Sequence, residues 1–271
     1  MTAIAVTIAG TDPTGGAGIQ ADLKTFSALE VYGATVITAL VAQNMTGVQG
    51  VHDVPPNFVR KQMDSVFTDL SVDAVKIGML SVPQTIQTVA DGLDAYGATT
   101  IVLDPVMVAQ SGDPLLQPEA VAVLREVLLP KSTIITPNLP EAAKLLDADM
   151  AEDEDAMRAQ GETLLKLGPK AVLMKGGHGT GAESVDLLVT EGGVVRLSAQ
   201  RIATGNTHGT GCTLSSAIAS GLARGMSLEN AVRMAKDYLT AALKAADTLS
   251  IGRGAGPVHH FHAYWSIGET E

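Results

Sequence analysis

The residues best placed to do chemistry lie between Asn206 and Thr213 (NTHGTGCT), and an apolar, alanine-rich stretch follows at once. Gly209 and Gly211 admit backbone angles closed to other residues, so this loop can aim several N–H groups in one direction. The run from Cys212 through Leu222 (CTLSSAIASGL) reads as a helix with the loop at its N-terminus. Exposed N–H groups and the positive end of the dipole make such a terminus an anion site, commonly for phosphate. Cys212, the sole cysteine, sits where that field stabilises a thiolate. Its pKa is expected to fall below the free value of about 8.5, into the range of a general base. Such a base takes the proton of a substrate hydroxyl as that oxygen attacks a γ-phosphorus. The amides of Gly209–Gly211 meanwhile stabilise charge on the phosphoryl oxygens. His208 could also act as base, although a loop-shaping role suits it better. The predicted chemistry is phosphoryl transfer.

Other polar residues fall at the ends of apolar, strand-like segments, where ligands bind in open α/β sheets. Asp12 and Asp22 follow the first such segment, Gln43 the second, Asp104 the third, Asn138 and Glu141 the next, and Lys175 the one after. Asp22 lies one helical turn beyond Gly18, so its carboxylate either faces the same mouth or is solvated on the helix. Gln43 ends an apolar run, and its amide suits either core hydrogen bonding or an aminopyrimidine-like edge. Asn138 and Glu141 open a helix, where capping is one reading. The other is that Glu141 holds water around a Mg²⁺ that bridges nucleotide phosphates. Lys175 precedes two glycines, from where its ammonium could reach a transferring phosphate.

The glycine-rich segment Gly10–Gly18 (GTDPTGGAG) resembles a P-loop only superficially, because Ile19 and Gln20 stand where a Lys-Ser/Thr pair would be needed. It also begins too far past the first strand for a dinucleotide fingerprint, and the second strand ends without a ribose-binding acid. A glycine-rich turn remains, open at Gly10 to close approach of a small substrate. His259, His260 and His262 are spaced unlike a helical ligand pair. They read as packing and hydrogen-bonding residues.

The elements that position these groups alternate along the chain. Strands are expected at Thr2–Ala9, Thr35–Val41 (running on to Gln43), Ala74–Ile77, Ile101–Leu103, Thr133–Thr136 and Ala171–Met174, with a hairpin at Val185–Thr190 and Val194–Leu197. Helices are expected at Ala17–Leu29, from Pro55–Pro56 to about Leu70, and at Val82–Tyr96, Val121–Leu128, Glu141–Leu146, Asp155–Leu167, Thr213–Arg224 and Leu228–Ala246. This alternation predicts an α/β fold, a mostly parallel central sheet with helices on both faces, built as one domain over residues 1–271. Met107–Pro114 is the best candidate for a closing loop by its small residues.

Composition narrows the partners. The chain has 271 residues, 46% of them hydrophobic, and a formal net charge of −11. With no Lys/Arg-rich run, nucleic acid and anionic membranes are not expected as partners. One cysteine allows no intrachain disulfide, and the N-terminus lacks the features of a signal peptide, so a cytoplasmic protein is expected.

Taken together, residues 9–22 (AGTDPTGGAGIQAD), 42–44 (AQN), 76–79 (KIGM), 136–141 (TPNLPE), 174–178 (MKGGH) and 207–212 (THGTGC) resemble one family. It is the bifunctional hydroxymethylpyrimidine kinase and phosphomethylpyrimidine kinase family of thiamine biosynthesis, in the ribokinase-like superfamily. The resemblance covers essentially the whole chain. It implies two successive phosphorylations by Mg-ATP, of 4-amino-5-hydroxymethyl-2-methylpyrimidine and then of its monophosphate. It implies that Asp22, Gln43 and Gly10 hold the pyrimidine, with Val41, Met79 and Val106 lining its pocket. Thr207, Gly209, Gly211 and Lys175 would meet the nucleotide, Asn138 and Glu141 would organise Mg²⁺ through water, and Cys212 would stand where sugar kinases carry an aspartate base. A homodimer is implied as well. Pyridoxal, whose ring also bears a hydroxymethyl group, is the nearest alternative substrate.

Overall fold

The computed structural model describes residues 2–109, 112–113, 115–177 and 181–265. Its first strand, β1 (Ile4–Ala9), is buried along nearly its whole length, as its unbroken apolar and β-branched sequence requires of a central parallel strand. It pairs in parallel with β2 (Tyr32–Ile37) on one side and β5 (Ala74–Ile77) on the other. Parallel pairing continues through β6 (Ile101–Leu103), β7 (Ile134–Ile135) and β8 (Ala171–Lys175). The predicted hairpin, β9 (Glu183–Thr190) and β10 (Gly193–Gln200), closes that edge antiparallel. The resulting eight-stranded order is β10-β9-β8-β7-β6-β5-β1-β2.

Eight α-helices accompany the strands among the described residues: α1 (Gly18–Ala28), α2 (Pro56–Phe67), α3 (Pro83–Ala95), α4 (Pro118–Val123), α5 (Leu139–Leu146), α6 (Glu154–Leu165), α7 (Thr210–Ala223) and α8 (Leu228–Lys244). Strand alternation sorts the core into two layers. Val6 and Ile8 of β1 pack with Val59, Met63, Ile86, Leu145 and Leu164 from the α2–α6 side. Ala5 packs instead with Phe26, Leu214, Ile218 and Val232 from α1, α7 and α8. None of these helices is long and apolar enough to cross a membrane.

Two expectations about local structure are corrected. The predicted second strand is two strands, because the chain leaves the main sheet at Thr38. There the Thr38 hydroxyl donates to the Met79 carbonyl at 2.8 Å, and the Ala39 carbonyl accepts the Thr11 N–H at 3.0 Å. Beyond this exit, β3 (Ala39–Asn44) and β4 (Gly47–Asp53) form a separate antiparallel hairpin that carries Val41 and Gln43. The largely exposed, glycine-split β4 (GVQGVHD) lacks the apolar alternation that would have announced it. The second correction concerns Val121–Leu128. The α-helix there ends at Val123 and widens into a π turn over Leu124–Leu128.

Candidate active site

The carboxyl ends of β6, β7 and β8 bring three charged groups together. Asp104, just after β6, is buried and accepts Lys175 Nζ at 3.0 Å and the Thr136 hydroxyl at 3.0 Å. Lys175 ends β8, where its backbone N–H donates to the Pro137 carbonyl at 2.9 Å. Its ammonium also lies 3.9 Å from Glu141 Oε2. Burial works against this ammonium, but Asp104 and Glu141 outweigh it and hold Lys175 above the ordinary lysine range. Asp104 is likewise buried, yet Lys175 and Lys76 keep it below the usual carboxylate range.

Asn138 and Glu141 form a capping box at the start of α5. The Glu141 N–H donates to Asn138 Oδ1 at 2.8 Å, and the Asn138 N–H donates to Glu141 Oε2 at 2.8 Å. The Met107 N–H also reaches the Glu141 carboxylate. Burial, with Asp104 nearby, pushes Glu141 up to about 7 against the pull of Lys175. Capping is therefore present, and it leaves this carboxylate beside the lysine.

The N-terminus of α7 is set down on this cluster. Gly209, in the left-handed region at φ 80°, caps the helix, and its carbonyl accepts the Thr213 N–H at 2.9 Å. The helix thus begins at Thr210, so Gly211 and Cys212 both lie in its first turn, where N–H groups lack intrahelical acceptors. A Cβ at Gly211 would stand 3.4 Å from both Asp104 Oδ2 and Lys175 Nζ. Glycine here brings the positive end of the helix directly over the Asp104–Lys175 pair. Thr207 shapes the approach, its carbonyl accepting the Thr210 N–H at 3.3 Å.

Cys212 does not carry the depressed pKa expected of it. Burial pushes the thiol up to about 11, and Asp22 and Asp104 add to the rise. Lys76 and the Gly18 N–H oppose this without reversing it. The field of α7 alone favours the thiolate, but two carboxylates stand behind the sulfur. The residue as a whole is half-buried.

Asp22 is also corrected, since it neither faces the mouth nor is solvated. Its carboxylate is fully buried, with Lys76 Nζ at 2.9 Å from each oxygen. The hydroxyls of Thr7 and Ser216 each donate to it at 2.6 Å. With four bonds already made inside the fold, it has no capacity left for a ligand.

The residues expected to line a substrate site are partly assembled. A Cβ at Gly10 would meet Met79 Sδ at 3.1 Å and Val41 Cγ2 at 3.6 Å, so these three share one surface. Val106 is half-buried next to the cluster, its N–H on the Asp104 carbonyl at 2.8 Å. Gln43 sits on the hairpin with its side chain hydrogen-bonded to Asp12. A cavity of about 100 Å³ opens there, lined by Gln43, Val48, Ala109, His208 and Ala255 among others. Met107–Pro114 falls partly, and His178 wholly, outside the described residues.

Asp12 is the residue that sequence reasoning undervalued. It is fully buried, and its two oxygens take N–H bonds from Thr14 (2.9 Å), Gly16 (3.1 Å) and Ala17 (2.7 Å) and the Thr14 hydroxyl (2.7 Å). His208 Nε2 lies 2.8 Å from Asp12 Oδ2. Burial disfavours its charge, but His208 and the other donors hold Asp12 below the usual carboxylate range. His208 is thus placed as a loop-shaping residue. The Asp-Pro-Thr order was a signal for the local turn only. Of the C-terminal histidines, His260 Nε2 lies 3.0 Å from Thr213 Oγ1, and burial pushes its ring down to about 3. His259 is buried edge-on to Trp265.

Comparison with known proteins identifies the family. The family model for phosphomethylpyrimidine kinase matches residues 12–259. The hydroxymethylpyrimidine/phosphomethylpyrimidine kinase of Salmonella typhimurium is 58% identical over 261 residues, 96% of this chain and 98% of that protein. The thiamine biosynthesis bifunctional protein ThiED of Geobacter sulfurreducens is 50% identical over 258 residues, 95% of this chain and 52% of that one. Among solved structures, an ADP complex of Bacillus subtilis pyridoxal kinase superposes with a TM-score of 0.90 at 36% identity, covering 97% of this chain and 99% of the other. The chain belongs to the phosphomethylpyrimidine kinase family.

Proposed function

We propose that the chain transfers the γ-phosphoryl group of ATP to 4-amino-5-hydroxymethyl-2-methylpyrimidine, and then a second one to the resulting monophosphate, for thiamine diphosphate biosynthesis. The observation that carries this reading is the seating of the α7 N-terminus over Lys175 and Asp104, with Gly211 as the point of contact. In the first step the substrate hydroxyl oxygen forms a bond to the γ-phosphorus, and the bond from that phosphorus to the β,γ-bridging oxygen breaks. The hydroxyl proton passes to the Cys212 thiolate. The amides of the Gly209–Gly211 segment that caps and opens α7, with the Lys175 ammonium, stabilise the charge on the transferring group. In the second step the nucleophile is a phosphate oxygen, already anionic near neutral pH, and needs no base. Thr207 borders the nucleotide phosphates.

The donor set near Lys175 fits Mg²⁺. Glu141 offers one carboxylate whose oxygens keep lone pairs beyond those given to Asn138 and Met107. Mg²⁺ takes few protein carboxylates and keeps most of its waters. When bound, it would neutralise nucleotide phosphate charge beside Asn138 and Glu141. The pyrimidine would rest on Gly10, Val41, Met79 and Val106, with Gln43 as its polar contact. Asp22 is left out of the substrate contacts. The chain acts as a single domain and pairs as a homodimer in the cytoplasm.

Mass spectrometry of products formed with Mg-ATP tests the assignment, with pyridoxal in a parallel sample. Mono- and diphosphate from the pyrimidine support it. Product from pyridoxal alone would move the activity to a vitamin B6 vitamer, and no product from either would end the kinase reading.

A further inference from the structure

Beneath Cys212 lies an ion pair that the transfer chemistry above does not use. Thr7 and Lys76 are register partners on β1 and β5, both on the face covered by α1 and α7. Their strand neighbours Val6, Ile8, Val75 and Ile77 are apolar and belong to the opposite core layer. Asp22 descends from α1 and Ser216 from α7, and all four groups meet with both charged side chains fully buried. Ser216 is four residues after Cys212, so the two lie on one face of α7, a turn apart. The cysteine therefore sits one helical turn above the Asp22 contact.

Such a pair is weak evidence for stability, because apolar replacements of similar volume are often neutral or better. Its position suggests another role. We propose that Lys76, clamped by Asp22 under the first turn of α7, is a positioning residue that supplies the buried positive charge against which Cys212 ionises. This rests on the reading of Cys212 as the base, which it deepens.

The charged groups facing the sulfur come from every neighbouring element. They are Lys76 from β5, Asp22 from α1, Asp104 after β6 and Lys175 at the end of β8, with the Gly18 N–H at the start of α1. Two cations stand against two carboxylates. Among these neighbours Lys76 acts most strongly on the thiol, outweighing Asp22. Burial alone would strip Lys76 of its proton, but Asp22 keeps it above the ordinary lysine range. The ammonium is therefore permanent, and it has no freedom to swing away. Gly78 leaves it room, since a Cβ there would stand 3.0 Å from Lys76 Nζ.

The test is alkylation of the sole cysteine by iodoacetamide in the folded, substrate-free protein at pH about 9, where the rate follows the thiolate fraction. Lys76→Met removes the cation and leaves the carboxylate, so alkylation should slow by about tenfold or more, the equivalent of about one pH unit. The double variant D22N/K76M buries no unpaired charge and should fold even where a single variant fails. Its alkylation should be several-fold slower than the wild type, because the stronger of the two influences is the cation. Equal rates in all three proteins, or a double variant faster than wild type, would overturn the proposal. Because no substrate is present, this outcome is separate from whether Cys212 is the base.

Discussion

Asp12 Oδ2 and His208 Nε2, 196 positions apart in the chain, lie 2.8 Å from each other and join the first glycine-rich loop to the loop that caps α7. An ionised carboxylate only accepts, so the histidine proton is on Nε2. Gly209 tightens the same junction, because a Cβ there would overlap the Gly16 carbonyl. Helix α7 is thus aligned by a contact made at the far end of the sequence, and Gln43 ties the hairpin to the same carboxylate.

His208→Ala should therefore slow both phosphorylation steps by about 10²-fold, the usual cost of a displacement near 1 Å. Equal slowing of the two steps separates this alignment role from a role as base. Kinetics with hydroxymethylpyrimidine and with its monophosphate give the comparison.

Asp12 also sets an acid limit. Its native pKa is depressed below the unfolded value of 3.8, so its stabilisation is complete above that pH and is lost as pH falls through the lower, native value. The stability gap between wild type and Asp12→Asn should shrink as pH falls from about 5 to about 2. Urea titrations across that range check it.

Glu141→Gln keeps an acceptor for the Asn138 N–H, so the start of α5 should remain capped. The lost charge should lower activity by on the order of 10²-fold, the scale of losing one electrostatic partner of the transition state. Glu141 is raised in the native state from 4.5 to about 7, so native protein binds the extra proton between those values. Wild-type stability relative to Glu141→Gln should therefore fall as pH rises from about 5 to about 8. Thermal unfolding of both proteins reads the sign.

Lys236 and Asp186 form a second buried pair at 2.7 Å, and Asp186 also accepts the Gly176 N–H at 3.0 Å, just after Lys175. Lys236→Met strands that carboxylate and should cost about 3–5 kcal/mol, while removing both charges should cost less. Urea unfolding of the single and double variants measures the difference.

Much of this architecture is legible in the sequence for physical reasons. Apolar runs such as those at Ile101–Leu103 and Ala171–Met174 have no polar face, and a sheet covered on both sides accommodates them. The glycine-to-helix transition at 209–212 announces the start of α7 through backbone geometry alone. The misread positions depend on distant neighbours. Asp22 looks solvated or turned to the mouth of the site until Thr7, Lys76 and Ser216 are known to converge on it. Cys212 looks acidic until burial and two carboxylates are counted. Asp12 looks like a turn residue until the loop around His208 arrives. β4 is invisible because its hairpin buries little of it.

The most direct test of Cys212 as the base is the rate of each phosphorylation step in wild type and Cys212→Ala, each started from its own purified substrate. A hydroxyl needs a base and an ionised phosphate does not, so the first step should fall by about 10²–10⁴-fold and the second far less. The wild-type first step should also climb with pH across about 7 to 10, as the thiolate fraction grows toward a pKa of about 11. Equal loss in both steps, or a first step flat in pH, would contradict that assignment.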